Sequence, residues 1–219
     1  MLKKSTGLFA WVATLLVPYV LLMLGARLLM TPIFLEVEYR LPGFPPDSYG
    51  FTQADRLRWA RPSVEYLVNS APISFLGDLT FDNGQPIYNE RELSHMLDVK
   101  NVVQLLLNLW YVALALLIGL GIWAWRGDWL PGYLTGLRRG GLLTSALLLG
   151  LGAFAAISFW QFFAWFHSLF FSGDSWLFSF SDTLIRLFPI RFWQDAVAWI
   201  GGFAFVMGLL LGFGLKPKA

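Results

Sequence analysis

Four long runs of apolar residues, separated by more polar segments, dominate the pattern along the chain. They cover residues 8–30, 102–125, 142–166 and 196–215. A helix needs roughly 20 apolar residues to cross the hydrocarbon core of a bilayer, so each run is long enough to span it. We therefore predict an all-α membrane protein, with four transmembrane helices in a single membrane domain over residues 1–219.

The first apolar run follows Lys3 and Lys4, as a signal peptide would. It is longer than the apolar region of a usual signal peptide, and no clear small-residue cleavage site precedes Thr31. We expect this run to be retained as a membrane span, with the Arg27 side chain extending towards the far interface.

Charged residues predict the orientation of the spans, because Lys and Arg accumulate in short cytoplasmic segments. The basic residues that mark one side are Lys3, Lys4, Arg126, Arg138, Arg139, Lys216 and Lys218. Residues 31–101 instead carry ten acidic and six basic residues. We expect both termini in the cytoplasm of a bacterial plasma membrane, with residues 31–101 and the second outer loop, residues 167–195, outside.

Residues 31–101 are too many for a simple connection, and we expect them to fold as a small extracytoplasmic cap of mixed structure. The alternation over residues 35–41 predicts a strand. Thr52 and Asp55 have the spacing of a capping box, which predicts the start of a helix that Pro62 interrupts.

The second half of the cap contains a turn signal and a helix start. Residues 81–84, with the sequence FDNG, predict a turn that joins residues 76–81 to residues 86–88 as a hairpin. Asn89 and Glu92 predict the start of a helix that continues without a breaker into the second span.

Composition excludes several classes of chemistry. The chain is 57% hydrophobic and 14% charged, with a mean hydropathy of +0.58, which suits a bilayer better than water. The chain contains no cysteine, so disulfides, thiolate nucleophiles, thiolate zinc sites and iron–sulfur clusters are excluded. A net charge of +2 gives no reason to expect nucleic acid as a partner.

The chain has two histidines, and both are predicted at the outer membrane interface. His95 lies just before the second span, and Arg91, His95 and Asp98 share one helix face through i, i+4 and i+7 spacing. His167 ends the third span, which runs outwards. Polar groups at this depth are costly unless they are paired or functional, so the placement favours a functional site. The simpler alternative is a solvated helix end with His95 in an ion-pair network.

Aromatic residues are concentrated beside His167, with fourteen between residues 159 and 193. An aromatic belt at the headgroup level explains part of this enrichment. The second outer loop also contains acidic and basic residues, so we expect it to lie along the interface or to fold under the cap and wall a dry pocket. The charged residues available there to order the histidines or a headgroup are Asp174, Asp182, Arg186 and Arg191.

Two blocks of sequence resemble the bacterial lipoprotein intramolecular transacylase (Lit) family. They are RELSHMLDVK at residues 91–100 and FHSLFF at residues 166–171, the second followed by Trp176, Asp182, Leu184-Ile185, Pro189 and Phe192-Trp193. The order and spacing of the blocks and the four-span topology agree with that family.

The resemblance implies an acyltransferase that needs no cofactor. Its substrate would be a lipoprotein whose N-terminal cysteine carries an S-diacylglyceryl group, surrounded by membrane lipid, and no obligate protein partner is implied. The sn-2 acyl chain would move to the α-amino group of that cysteine, giving a lyso-form lipoprotein. Such a transfer needs neither a metal nor an acyl-enzyme.

The resemblance also implies that His95 and His167 are the catalytic residues. Since a histidine can carry protons at ambient pH, we assign His167 as the general base towards the amine. His95, oriented by Asp98 or Glu92, would stabilise the oxyanion and protonate the leaving oxygen, although the two roles could be exchanged. Further residues expected to bind substrate or to support the histidines are Arg91, Glu92, Asp98, Phe166, Phe170, Asp174, Trp176 and Asp182.

Three other functions are compatible with parts of the sequence. Two histidines at one level could be axial ligands of a haem. A zinc hydrolase could use the histidines with carboxylates, although no HExxH motif occurs. A non-catalytic membrane assembly factor could bind a partner through the cap.

Overall fold

The computed structural model describes residues 2–216, with side chains from Thr6 onwards. Within these residues the chain forms nine helices and no strand. They are α1 (Leu2–Leu29), α2 (Pro32–Glu38), α3 (Gln53–Val68), α4 (Ser74–Gly77), α5 (Glu90–Arg126), α6 (Leu130–Ile157), α7 (Phe159–Ser168), α8 (Thr183–Leu187) and α9 (Ile190–Gly214).

Four of these helices are long and apolar enough to cross a bilayer, which confirms the predicted fold class. They are Thr6–Leu29, Glu90–Arg126, Leu130–Ile157 and Ile190–Gly214. The basic residues Lys3, Lys4 and Lys218, on which the predicted orientation partly rests, have side chains outside the described residues. Helix α5 has 37 residues and is about 55 Å long, well beyond the 30 Å of a hydrocarbon core, so its polar first turns extend past the apolar run.

The third span differs from the prediction of one helix over residues 142–166. Helix α6 starts at Leu130 and ends at Ile157, because Ser158 has an extended backbone with φ −151° and ψ 94°. Helix α7 then begins at Phe159. Hydropathy measures how apolar a segment is and does not detect a change of backbone dihedral angles, so this break was not predictable from the apolar run.

The chain divides into two compact units, and the break at Ser158 coincides with one boundary between them. The first unit comprises the residues up to Ala26, Leu106–Ser158 and the residues from Trp199 onwards. Its helices approach closely at glycines, as is common between membrane helices. A Cβ atom added to Gly141 of α6 would lie 2.5 Å from the carbonyl oxygen of Gly208 and 2.8 Å from the Cβ atom of Leu211 in α9.

The second unit comprises Arg27–Leu105 and Phe159–Ala198, and it contains both histidines. Its core is apolar and aromatic, with Leu35, Tyr66, Leu76 and Leu187 at most 1% exposed. The phenol of Tyr39 donates a hydrogen bond to the carbonyl of Leu187 over 2.9 Å, which ties the cap to the second outer loop.

The strand predicted over residues 35–41 is wrong, because helix α2 occupies Pro32–Glu38. Thr31 is the N-cap and accepts a hydrogen bond from the Phe34 amide, and Pro32 occupies the first turn. These are helix start signals, and they outweigh the short alternation. Leu35 and Tyr39, four residues apart, both enter the core.

The cap is therefore helical rather than mixed. The capping box of Thr52 and Asp55 opens α3 as predicted, but the helix continues through Pro62 to Val68. Buried Trp59, Ala60, Ser63 and Val64 on both sides of the proline keep the helix packed where one backbone hydrogen bond is missing. The predicted hairpin is reduced to a single antiparallel bridge between Thr80 and Pro86.

One buried acid lies in this core without a hydrogen bond of good geometry. Glu38 is 0% exposed, and neither of its carboxylate oxygens has a hydrogen-bond partner in the part of the chain that the structure describes. Burial and the nearby Asp195 carboxyl group raise the pKa of Glu38 to about 7, against a smaller opposing effect of the Arg191 charge.

Candidate active site

The start of α5 is fixed by reciprocal hydrogen bonds, as the sequence predicted. The Asn89 amide donates to Oε2 of Glu92 over 2.8 Å, and the Glu92 amide donates to Oδ1 of Asn89 over 2.9 Å. The other carboxylate oxygen of Glu92, Oε1, accepts from the amide of Leu184 over 2.7 Å. Glu92 is 1% exposed, so this buried carboxylate links the first turn of α5 to the first turn of α8.

Glu92 was predicted as one of two residues that could orient His95, and the structure contradicts that role. Both of its oxygens are occupied by backbone amides. The other candidate was Asp98, whose charge acts on the His95 ring, but Nδ1 of His95 is buried and has no hydrogen-bond partner among the described residues. Aromatic contacts hold the ring instead, since it lies 5.1 Å from the ring of Phe171 and 5.2 Å from that of Phe178.

His167 lies in the last turn of α7, and a hydrogen bond orients its ring. Nδ1 lies 2.8 Å from the carbonyl oxygen of Phe163, four residues earlier in the helix. Because a carbonyl oxygen only accepts, Nδ1 carries the proton of the neutral ring and Nε2 presents a lone pair. Burial lowers the pKa of His167, and the bond to Phe163 opposes that effect. The predicted orienting roles of Asp174 and Asp182 are therefore wrong.

Aromatic rings enclose His167 on several sides. The indole of Trp176 stacks on the imidazole with 4.6 Å between centroids and 29° between planes. The Phe163 ring lies 4.1 Å away and the Phe166 ring 5.7 Å away. Phe170, another predicted site residue, contacts Phe166 at 5.2 Å rather than the imidazole.

Phe171 contacts both histidines and brings the two predicted residues to one place. Its ring lies 5.1 Å from that of His95 and 5.8 Å from that of His167. Sequence reasoning did not single out Phe171, Phe163 or Phe178. The first two lie four residues after and four residues before His167, so helical spacing was a usable signal for them.

Arg91, Asp174 and Asp182 position the aromatic loop, residues 169–182, which carries Phe171 and Phe178. The guanidinium of Arg91 donates to the Asp174 carbonyl over 2.6 Å and lies 5.7 Å from the ring of Phe178. Asp182 accepts hydrogen bonds from the Ser179 amide at 2.8 Å and from the Asn89 side chain at 3.3 Å. These charged residues thus attach the loop to the start of α5 and do not contact the imidazoles.

Two other predicted cations are engaged away from the histidines. Arg186 pairs with Asp47 at 2.9 Å, where both side chains are largely buried. Arg191 pairs with Asp195 one helical turn later in α9. Among the described residues, no group of three histidine or acidic side chains is placed to hold a metal ion.

A cavity of about 380 Å³ lies beside the histidine pair. Asp98, Asn101 and Val102 of α5 line one side, and residues of the aromatic loop line the other: Phe170, Phe171, Ser172 and Ser175. The volume is within the range of roughly 300–1,000 Å³ that is typical of small-molecule sites. Phe171 is shared by the cavity wall and by both imidazoles.

Proteins of Aquifex aeolicus and Bacillus cereus are similar to this chain in sequence and in structure, respectively. A protein of Aquifex aeolicus (strain VF5) is 29% identical over 213 residues, covering 94% of this chain and 92% of that protein. A solved structure of the membrane integral lipoprotein intramolecular transacylase Lit from Bacillus cereus has a TM-score of 0.79 at 21% identity, with 95% of this chain and 93% of that chain covered. A variant of that protein with a histidine replaced by arginine gives a TM-score of 0.73 at 21% identity, over 95% of this chain and 89% of the other.

These structural matches show that the chain shares the fold of the Bacillus cereus protein. The family comparison extends over the residues of the candidate site as well. The family model of lipoprotein intramolecular transacylase Lit matches residues 11–193, a stretch that contains both histidines and the whole aromatic loop. We conclude that this multi-pass membrane protein belongs to the lipoprotein intramolecular transacylase family.

Proposed function

We propose that the protein moves the sn-2 acyl chain of an S-diacylglyceryl lipoprotein to the α-amino group of the substrate's own N-terminal cysteine. The observation that carries this proposal is the placement of His95 and His167 against the single ring of Phe171. In this reaction the amine nitrogen attacks the ester carbonyl carbon, the bond to the glyceryl oxygen breaks, and that oxygen gains a proton.

His167 acts as the general base towards the amine. Its Nδ1 proton is held by the Phe163 carbonyl, so Nε2 is the free basic atom of the ring. Burial favours the neutral ring, which keeps this base unprotonated at neutral pH. A stacked indole and a fixed hydrogen bond also hold the ring in one orientation, and such positioning lowers the entropy lost in the transition state.

His95 stabilises the oxyanion and delivers a proton to the glyceryl oxygen. Within residues 6–216 no hydrogen bond fixes the tautomer of this ring through Nδ1. The ring can therefore donate a proton at one stage and accept one at another, as acid and base steps in one reaction require. Its phenylalanine neighbours keep bulk water away, which favours aminolysis of the ester over hydrolysis.

The site faces the outer leaflet of a bacterial plasma membrane, with both termini in the cytoplasm. The acidic balance of residues 31–101 and the basic short loops support this orientation. The reaction needs no cofactor, since substrate amine, substrate ester and two imidazoles supply every group that reacts.

Mass spectrometry of a substrate lipopeptide tests the proposal. A synthetic S-diacylglyceryl lipopeptide is incubated with the purified protein and its N-terminal fragment is analysed. We expect one acyl chain to become amide-linked and resistant to mild base at unchanged total mass. His95→Ala and His167→Ala should each abolish this conversion.

Ser168→Ala is the matched control, because Ser168 is adjacent to His167 but its hydroxyl donates to the Trp165 carbonyl over 2.7 Å. This variant should retain activity. A wild-type protein that leaves the lipopeptide unchanged in lipid nanodiscs would refute the proposal, and loss of one acyl chain from the lipopeptide as free fatty acid would indicate a hydrolase instead.

A further inference from the structure

Asp98 is an exposed carboxylate beside the candidate site. Among the described residues its charge acts on the neighbouring His95 ring, and no hydrogen bond or ion pair neutralises it. The neighbouring charges are engaged: Arg91 holds the aromatic loop, and Glu92 caps two helices. Asp98 follows His95 by three residues in α5, so the two side chains share one side of the helix within a turn. Its negative charge is therefore available to a ligand.

The cavity next to Asp98 has a polar part and an apolar part. Asn101, Ser172 and Ser175 provide amide and hydroxyl groups, while Val102, Phe170 and Phe171 provide apolar surface. The Ser175 hydroxyl donates to the Ser172 carbonyl over 3.3 Å, and this bond shapes the loop side of the cavity. A ligand in this cavity would contact Phe171, whose ring touches both imidazoles.

We propose that this cavity binds the N-terminal cysteine residue of the substrate, with Asp98 paired to its α-ammonium group. This inference rests on the proposed function and identifies which part of the substrate the cavity recognises. An α-amino group has a pKa of about 7.7–8.0, so the substrate arrives mostly as a cation at neutral pH. A carboxylate and several hydrogen-bonding groups around a small apolar wall suit an ammonium group followed by a peptide bond.

The ion pair also distinguishes substrate from product. The bound ammonium gives one proton to Nε2 of His167 and attacks the ester as the neutral amine. Its second proton passes to the glyceryl oxygen, and the proton on His167 returns to solvent. The product amide is uncharged, so its attraction to Asp98 is lost, which favours release of the acylated lipoprotein. Asp98 is thus a positioning residue that selects substrates with a free N-terminus.

A binding experiment that needs no turnover tests this role. Full-length His167→Ala protein in nanodiscs is titrated with an S-diacylglyceryl-cysteinyl dipeptide and with its N-acetylated analogue. We expect the free amine to bind roughly fivefold more tightly, the size that a solvent-accessible ion pair supports. The preference should disappear when Asp98→Asn is added, and it should decrease above pH 8 as the amine loses its charge.

Two further variants keep the test decisive. Glu90→Gln removes the same charge from an exposed position two turns earlier in α5 and should leave the preference unchanged. Asp98→Glu keeps the charge and should restore most of the preference, which separates a charge effect from a folding defect.

The outcomes separate this inference from the proposed function. If wild-type protein transfers the acyl chain but Asp98→Asn keeps the full preference for the free amine, the role of Asp98 is refuted and the function stands. If wild-type protein transfers nothing yet shows a preference that depends on Asp98, the cavity assignment stands and the function is refuted. If the protein binds neither the free-amine lipopeptide nor its N-acetylated analogue, the cavity assignment is wrong.

Discussion

Replacing Glu92 should destabilise the unit that carries both histidines, by an amount that follows from its hydrogen bonds. The carboxylate is 1% exposed and accepts from the Asn89 amide at 2.8 Å and from the Leu184 amide at 2.7 Å. A buried donor left without an acceptor costs about 1–3 kcal/mol. Glu92→Ala leaves two such donors, so we expect a loss of roughly 4 kcal/mol in the free energy of unfolding.

Glu92→Gln should have about half that effect. Glutamine keeps the shape and one carbonyl oxygen, so one backbone amide remains bonded, while its NH₂ group meets the other amide donor to donor. We expect a loss of roughly 2 kcal/mol. Glu90→Gln, two residues earlier on the exposed surface of the same turn, should change stability by less than about 0.5 kcal/mol.

Thermal unfolding of the detergent-solubilised variants measures this series. For a chain of this length 1 kcal/mol corresponds to a change of roughly 2–4 °C in Tm, so Glu92→Ala should lower Tm by on the order of 10 °C. The rate of acyl transfer by Glu92→Ala, measured at a temperature below its Tm, should also decrease, because α8 and the aromatic loop lose their attachment to α5. If Glu92→Ala matches Glu90→Gln in Tm, Glu92 does not join the two helix starts.

Three other predictions concern different parts of the molecule. In ¹³C-His-labelled protein, the two histidine signals can be assigned with His95→Ala and His167→Ala. The NMR titration midpoint of His167 should lie below the ordinary 6.5, because burial disfavours the charged form of the ring. A midpoint at or above 6.5 would contradict the described environment. Because the pKa of Glu38 is raised, its contribution to stability is complete below its ordinary pKa of 4.5 and is lost as pH rises through about 7. Glu38→Gln should therefore gain stability relative to wild type across that pH range, whereas Glu36→Gln, at an exposed side chain, should not. Equal pH dependence of stability in the two variants would refute this account. Gly141→Ala should lower Tm, because the new Cβ atom would lie 2.5 Å from the Gly208 carbonyl oxygen and overpacking costs about 1–3 kcal/mol. Gly150→Ala on the same helix is the control: its new Cβ atom would have no other atom within 4 Å, so this variant should keep or raise Tm.

Several features were predictable because they depend on neighbours in the chain. The apolar runs predicted that four helices span the membrane, since length and hydropathy decide whether a helix can cross a bilayer. The spacing of Thr52 with Asp55 and of Asn89 with Glu92 gave two helix starts, since a capping side chain reaches only three residues along the backbone.

Other features depend on partners that are distant in sequence. Glu92 and Asp182 were assigned to the histidines from proximity along the chain, yet Glu92 binds the start of α8 and Asp182 binds Ser179 and Asn89. The sequence shows that a carboxylate is present, but the choice among several backbone amides is made only when the loop packs on α5. The spacing of Phe171 from His167 was visible in the sequence, but its contact with His95 forms only when the aromatic loop packs on α5.

The sequence by itself therefore determined that the chain lies in a membrane, the number of spans and several helix boundaries, because these follow from local composition and spacing. The tertiary structure decided that His95 and His167 meet on one aromatic ring, that Phe163 sets the tautomer of His167, and that Asp98 lines a cavity beside them. These arrangements arise from packing between segments far apart in the chain, where many pairings satisfy the same local pattern and only the burial of the whole unit selects one of them.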